Sequence, residues 1–548
     1  IWSSVFVRNF KKHYRVMWDQ NSGLEGFYDP PMSPEQVAQA HTGFFAGRPV
    51  DAYVGALGCN AGYGVSWPTE VKNAEFWVDR LNAGDRVGKV QLWRHAENLR
   101  LLWEQGVDPL QLEVDETKRL GVDHWFRLSM NDWHHWGTDN TEINLQSSSF
   151  YDNHPEYLIG EEGARGWNDN LANVLQYFQD WMHDEVRALR RDIAVEACTR
   201  YDVAGFLYDF MRCPGYFKFG QEQAGIEVMS DFMRETRELF RVIEKKKGCP
   251  LGLAVRVPST IEGSLRLGLD VCSWINEGLV DIVVPSCFFG QDMEEDVSEW
   301  VELSKNSGVQ VYPAIEEGYM AGHTGEFRRW YLNPPVMTPL SNEMVRGLAT
   351  RHLQRGSDGI YVFNFFGTCV TYDYDNRNVV DDIADLSRLE HKDKTFALTR
   401  SNDSFPNCLI TERLIPTPVT EEKVQLEIYV TDNLTSVQGR LGSVDLCLHL
   451  DNLTMYDVLE VTFNGTIITC ANSMKGGEFN PTDDEWLRFD LLNHLPIVGD
   501  NQITLRMVKR NPRLADEIPV ELADVELHIK YAFPDGEWEY SRSWKPPR

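Results

Sequence analysis

The sequence predicts an α/β chain, a TIM-type (β/α)8 barrel followed by a C-terminal antiparallel β-sandwich, and three observations carry that expectation. Between residues 48 and 366 short β-branched runs alternate with amphipathic helical stretches, the pattern of a parallel sheet with crossover helices. Eight such runs occur, at 51–57, 123–130, 173–178, 204–210, 251–257, 280–285, 309–315 and 359–365. Beyond residue 418 the helical period nearly vanishes and apolar and polar residues alternate, as in half-buried antiparallel strands.

Each part has its own justification. Residues 1–47 read as an N-terminal extension packing on the barrel, which itself spans 48–400. Among its helices, Ile226, Met229, Phe232, Met233, Leu239, Phe240 and Ile243 fall on one face, with Glu, Arg and Lys opposite, and Gly248 ends the run. Residues 401–418 are rich in Asn, Asp, Ser, Pro and Thr and read as a linker. The accessory domain follows at 419–548, with strands expected at 423–430, 443–450, 458–469, 486–492, 502–508 and 520–531. Asn464-Gly465 inside one of these runs is a strong hairpin signal.

Composition narrows the function classes. The 548 residues are 42% hydrophobic and 25% charged, which is ordinary globular usage. Lys plus Arg total 53 against 83 Asp plus Glu, a net charge of -30 that repels phosphate backbones, so no nucleic-acid partner is expected. No apolar run approaches the roughly 20 residues of a membrane span, and a soluble chain is expected. Ten cysteines are too sparse for a disulfide scaffold, and none form a CxxC pair of zinc-site spacing. Four Asn-x-Ser/Thr sequons begin at Asn402, Asn433, Asn452 and Asn464 and would be glycan acceptors in a secreted eukaryotic chain.

In a barrel of this kind the chemistry sits where the strands end, because the following loops converge there. The fourth strand ends at Asp209, with Arg212 just beyond, and a carboxylate emerging from an apolar strand is partly desolvated and suited to acid–base or nucleophilic work. The seventh strand ends in Glu316 and Glu317; strand alternation lets one of them face the mouth, and Glu316 is preferred. Arg127, Asn131, Asp132, Trp133 and His135 form the densest polar and aromatic cluster, at the end of the second predicted strand. There Trp133 can stack on a sugar face, Asn131, Asp132 and His135 can hydrogen-bond hydroxyls, and Arg127 can hold a charged group. Tyr177, Arg256 and Asn364 lie at or beside other strand ends. Asp132, His134 and His135 offer a weaker metal reading, set aside because adjacent His side chains rarely converge, and no metal is expected. No cofactor is expected either, since the chain has no GxxxxGK[ST], GxSxG or post-strand GxGxxG motif.

Two carboxylates from different strands flanking a cleft are the requirement of glycoside hydrolysis, and Asp209 with Glu316 supplies such a pair, with Asp132 as a third candidate. Two other readings use the same residues: a barrel without chemistry that holds a glycan, or a lyase in which Arg127 neutralises a uronate while His135 or Tyr177 abstracts a proton.

At these residues a resemblance enters. The run from Arg200 through Tyr208-Asp209 to Arg212 is similar to the "RYDVDGIELDFMR" type of segment in bacterial barrel proteins of the glycosyl hydrolase-like family ten. Gly106-Val-Asp-Pro-Leu, followed by Phe126-Arg-Leu-Ser-Met-Asn-Asp132, resembles their "GxDPL…LRMND" pattern. The likeness spans most of 50–400 and implies a (β/α)8 fold and action on glycosidic bonds; a carbohydrate partner and a secreted or periplasmic location are expected beside it, with any export signal not visible in this sequence. It implies Asp209 as a catalytic residue and Arg127, Asn131 and Asp132 as cleft residues. One departure stands out: Tyr208-Asp209 occupies the place where the best-known clan of retaining barrel glycosidases carries Asn-Glu.

Overall fold

Seven of the eight predicted runs become barrel strands, and the remaining strand comes from a segment the periodicity did not mark. The computed structural model describes residues 10–20, 23–57, 64–81, 85–132, 145, 147–167, 174–287, 290–320, 337–365, 377–399, 415–470, 472–475 and 484–532. The barrel strands are β1 (Val16–Gln20), β2 (Ala52–Ala56), β3 (Asp123–Ser129), β4 (Gly205–Asp209), β5 (Gly252–Pro258), β6 (Ile282–Ser286), β7 in two pieces (Gln310–Val311 and Ala314–Ile315) and β8 (Ile360–Phe363). Neighbours pair in parallel from β1 to β6. The first piece of β7 bonds β6, its second piece bonds β8, and β8 bonds β1, so the sheet closes on itself.

The first strand therefore lies within the segment expected to be an extension. Its sequence, Val16-Met-Trp-Asp-Gln20, is buried on both faces and carries two polar residues, so it shows neither alternation nor an unbroken apolar run. Residues 173–178 do not form the predicted third strand. Within them Val174 and Leu175 are helical and 176–178 turn, with Leu175 and Phe178 packing against Ile159 and Met211 in a satellite cluster.

Strand alternation points Met17, Val54, Trp125, Leu207, Ala254, Ile282 and Ala314 toward the barrel axis, where Phe10 and Tyr14 pack against them. Trp125 is so large that its neighbours must yield: a Cβ on either Gly205 or Gly252 would stand 2.3 Å from its ring. Outside, the helix Glu222–Lys247 buries Met229, Phe232, Met233, Phe240 and Ile243, as its period predicts, while Leu239 is 36% exposed at the edge of the stripe. Gly248 closes that helix in the left-handed conformation, φ 74°.

The C-terminal strands form two antiparallel sheets, one centred on Leu441–Asp451 and Glu521–Tyr531, the other on Val424–Val430, Gly499–Lys509 and Val458–Phe463. Leu446, Leu448, Val525 and Leu527 of the first meet Leu426, Ile428, Ile503 and Leu505 of the second in one core, making a sandwich. The predicted run 458–469 is two strands, because Asn464 and Gly465 take φ 46° and 79° and turn the chain back on itself. Lys394–Leu398, on the barrel side of the expected linker, pairs with Glu521–Tyr531, as does Thr417–Pro418 from the linker itself. The helix Asn342–Gln354 covers the outer face of that strand so closely that a Cβ on Gly347 would stand 2.5 Å from the Thr395 carbonyl.

Candidate active site

Alternation delivers a ring of ionisable side chains to the inside of the barrel near the strand ends. Asp19 comes from β1, Arg127 and Ser129 from β3, Asp209 from β4, Arg256 from β5, Ser286 from β6 and Tyr361 from β8, with Glu316 one residue past β7. Asp19, Arg127 and Asp209 are fully buried, Arg256 is 2% exposed and Glu316 4%. Buried charges demand partners, and here each carboxylate meets a guanidinium.

Asp209 is the hub. Its Oδ1 accepts from the backbone N–H of Met211 (2.9 Å) and Arg212 (3.0 Å) and from Arg256 Nη1 (3.2 Å), and its Oδ2 accepts from Arg127 Nη1 (2.9 Å). Arg127 also places Nε 2.8 Å from Asp19 Oδ2, the oxygen to which the Tyr361 hydroxyl donates. Arg256 reaches the other way: Nη2 donates to Glu316 Oε1, Nε donates to Ser286 Oγ at 3.0 Å, and the guanidinium lies 3.7 Å above the Phe363 ring. Every hydrogen bond to the Glu316 carboxylate among the described residues falls on Oε1. Its backbone N–H donates to Gln291 Oε1 at 3.0 Å, which holds the end of β7 against the loop after β6.

These surroundings separate the acids. Burial drives Asp209 upward, but the charges of Arg256 and Arg127 and the two backbone N–H groups outweigh it and hold the group below its ordinary value. Asp19 is pushed up to about 6 by burial, against the pull of Arg127. Burial also raises Glu316, against Arg256. Glu317 is only half-buried and is pushed up to about 7 by burial and the charge of Glu316, with Arg212 opposing. Its Oε2 has no hydrogen-bond partner among the described residues.

The structure thus brings Arg127, Asp209, Arg256 and Glu316 into one network, with Arg212 and Glu317 at its margin. Other predicted residues take different places. Asn131 is a loop anchor: its Nδ2 donates to the carbonyls of Gln179 (3.0 Å) and Gly215 (2.8 Å), and its Oδ1 accepts from the Gln179 N–H (2.9 Å), which occupies the amide and leaves it unsuited to hold substrate. Asp132 is buried beside it, and the Tyr151 hydroxyl lies 3.5 Å from its carbonyl. Tyr177 sits in a turn rather than at a strand end, its carbonyl accepting from the Tyr151 hydroxyl. Asn364 follows β8 directly at φ 56°, with a buried Oδ1 that has no hydrogen-bond partner among the described residues. Trp133 and His135 lie outside the described residues, as does His134 of the weaker metal reading.

Sequence reasoning missed Asp19, Ser286, Gln291 and Tyr361. Asp19 carried a usable signal, a carboxylate inside Met17-Trp-Asp-Gln20, but without β1 there was no strand end on which to place it.

Among the described residues no helix is long and apolar enough to cross a membrane. No family model matches the chain, and no curated protein matches it. Solved structures similar to it are named as carbohydrate-active enzymes. A cycloisomaltooligosaccharide glucanotransferase from a Paenibacillus species is 10% identical with a TM-score of 0.32, over 93% of this chain and 57% of that one. The glycoside hydrolase domain of PgaB from Bordetella bronchiseptica is 11% identical with a TM-score of 0.36, over 68% of this chain and 99% of that one. An alpha-L-fucosidase from Bacteroides thetaiotaomicron is 8% identical with a TM-score of 0.35, over 92% of this chain and 98% of that one. Likenesses at this level carry no argument about what this chain binds or turns over.

Proposed function

We propose that the chain is a secreted or periplasmic glycoside hydrolase that cleaves an oligo- or polysaccharide at the C-terminal mouth of its barrel. The observation that supports this reading is the divergence of three acids at one rim. Asp209 is held ionised by two arginines, Glu316 is tied through one oxygen to Arg256, and Glu317 is half-buried with a value of about 7. Acids pushed apart in this way suit a proton donor working beside a carboxylate.

The roles divide by availability. Glu317, at a bend past the end of β7 where strand alternation no longer fixes its direction, keeps a proton near neutrality and donates it to the departing glycosidic oxygen. Glu316, whose hydrogen bonds among the described residues all fall on Oε1, attacks the sugar carbon or takes a proton from the attacking water. Asp209, expected from the sequence as one of the two catalytic carboxylates, is in this reading a positioning residue: its lone pairs are committed, and it holds the Arg256 guanidinium that also bonds Glu316. Arg212 and Asn364 hold substrate hydroxyls in this reading. Reducing-sugar release across neutral and anionic polysaccharides tests this. Glu317→Gln is expected to lower turnover about 10²–10⁴-fold and to remove the fall in rate as pH rises through about 7. Wild-type turnover in both Glu316→Gln and Glu317→Gln would sink the assignment.

One observation favours a second reading, a barrel that binds glycan without cleaving it: both Asp209 and Glu316 are already neutralised by Arg256. Glycan binding with no product after prolonged incubation is its signature, and absorbance from an unsaturated product would indicate the lyase instead.

A further inference from the structure

On the outer face of the sheet, away from the barrel axis, lies a second buried cluster that the proposed chemistry does not use. Glu25, from the turn after β1, His41, from the helix Pro34–Thr42, and Glu113, from the helix Pro109–Arg119, are each 3% exposed. One ligand atom from each lies within 4.8 Å of the others. We propose that Glu25, His41 and Glu113 bind one divalent transition-metal ion of the zinc class.

The spacing around His41 fits such an ion. His41 Nε2 stands 2.8 Å from Glu25 Oε1 and 3.5 Å from Glu113 Oε1. A tetrahedral ion with bonds of about 2.0–2.1 Å spaces its ligands roughly 3.3 Å apart, between those two values. Two of the three ligands also have the outer partner that orients metal ligands. His41 Nδ1 faces the Tyr53 hydroxyl at 3.1 Å, which fixes the ring with Nε2 toward the carboxylates, and the second oxygen of Glu25 is held by His95 Nδ1 at 3.0 Å.

On the far side of Glu113, His124 has its acceptor unused. The Thr117 hydroxyl spends its proton on the helix carbonyls of Glu113 and Val114, so His124 Nδ1, 3.1 Å away, donates to it and Nε2 carries the lone pair. That Nε2 is buried and has no hydrogen-bond partner among the described residues. It and Glu113 Oε2 lie 3.4 and 3.3 Å from the point that a Cβ on Gly55 would occupy, so the glycine of β2 leaves open the gap between them. Two carboxylates balance a dication's charge, and imidazole donors favour zinc over calcium or magnesium. An ion here would join the helix Pro109–Arg119 to the turn and helix that follow β1, fastening the first crossover to the second.

The test uses the full chain, stripped with a chelator and titrated with cobalt(II) and zinc(II) salts. Wild type is expected to take up one equivalent, cobalt giving the visible absorption of a tetrahedral site, and to melt several degrees higher with zinc. Glu113→Gln and Gly55→Ala, the first removing a ligand and the second filling the gap, are expected to weaken uptake at least tenfold. Absence of a tight equivalent in wild type, or equal uptake in wild type and both variants, overturns the site. Should neither variant fold, zinc X-ray absorption of wild type decides: one or two imidazoles with oxygen ligands supports it, and sulfur, three or more imidazoles, or oxygen alone refutes it.

Discussion

Two buried carboxylate clusters lie on opposite faces of one sheet, and they are neutralised by different chemistry. Inside the barrel Asp19, Asp209 and Glu316 are balanced by Arg127 and Arg256; outside it Glu25 and Glu113 face His41, His95 and, across the Gly55 gap, His124. A guanidinium keeps its charge at every working pH and has no lone pair, so the inner network is a fixed ionic frame around which a separate acid such as Glu317 can work. An imidazole can give up its proton and offer nitrogen, so the outer cluster can exchange protons for a metal ion. Similar residue counts thus yield a fixed ionic frame in one place and, in the other, a set of groups that can change charge.

Removing one partner from each cluster is the sharpest way to test that contrast. Arg256→Met is expected to cost about 3–5 kcal/mol of unfolding free energy, because Asp209 and Glu316 stay buried with no replacement charge. Glu25→Gln is expected to cost less, about 1.5–3 kcal/mol, since His41 can give up its proton when its carboxylate goes. Urea denaturation of both variants measures the difference, and a reversed order would break the comparison.

The pH dependence of stability sharpens it further. Asp209 is held below the ordinary carboxylate value, so it contributes stability that is present above the unfolded value of about 3.9 and is lost as pH falls through its lower folded value. Asp209→Asn is expected to flatten the loss of stability below about pH 4 by up to roughly 1.4 kcal/mol per pH unit, read from urea midpoints between pH 6 and pH 3. Glu317 has the opposite sign: raised to about 7, it contributes stability present below its unfolded value and lost as pH rises through 7. In Glu317→Gln that decline, between about pH 4 and pH 7, is expected to vanish.

The smallest effect concerns a neutral member of the inner network. Ser286→Ala removes a hydroxyl 3.0 Å from both Arg256 Nε and Glu316 Oε1 and is expected to cost about 1 kcal/mol, because both ions keep each other. A loss as large as that of Arg256→Met would show that the hydroxyl, and not the ion pair, organises the rim.

Local sequence determined what local physics can specify. β-Branched runs read as barrel strands, the 3.6-residue stripe around Met229 and Phe240 read as a helix, and Asn464-Gly465 read as a hairpin, because each signal is written within a dozen neighbouring residues. Asp209, Arg256 and Glu316 were also legible as strand-end residues. Only the tertiary structure decided that Val16–Gln20 is a barrel strand, that Asn131 spends its amide on Gln179 and Gly215, and that Arg256 binds Asp209 and Glu316 together. The reason is physical: a buried charge is stable only beside its counter-charge, and the partners of Asp209 lie 82 and 47 residues away along the chain, brought near by closure of the barrel.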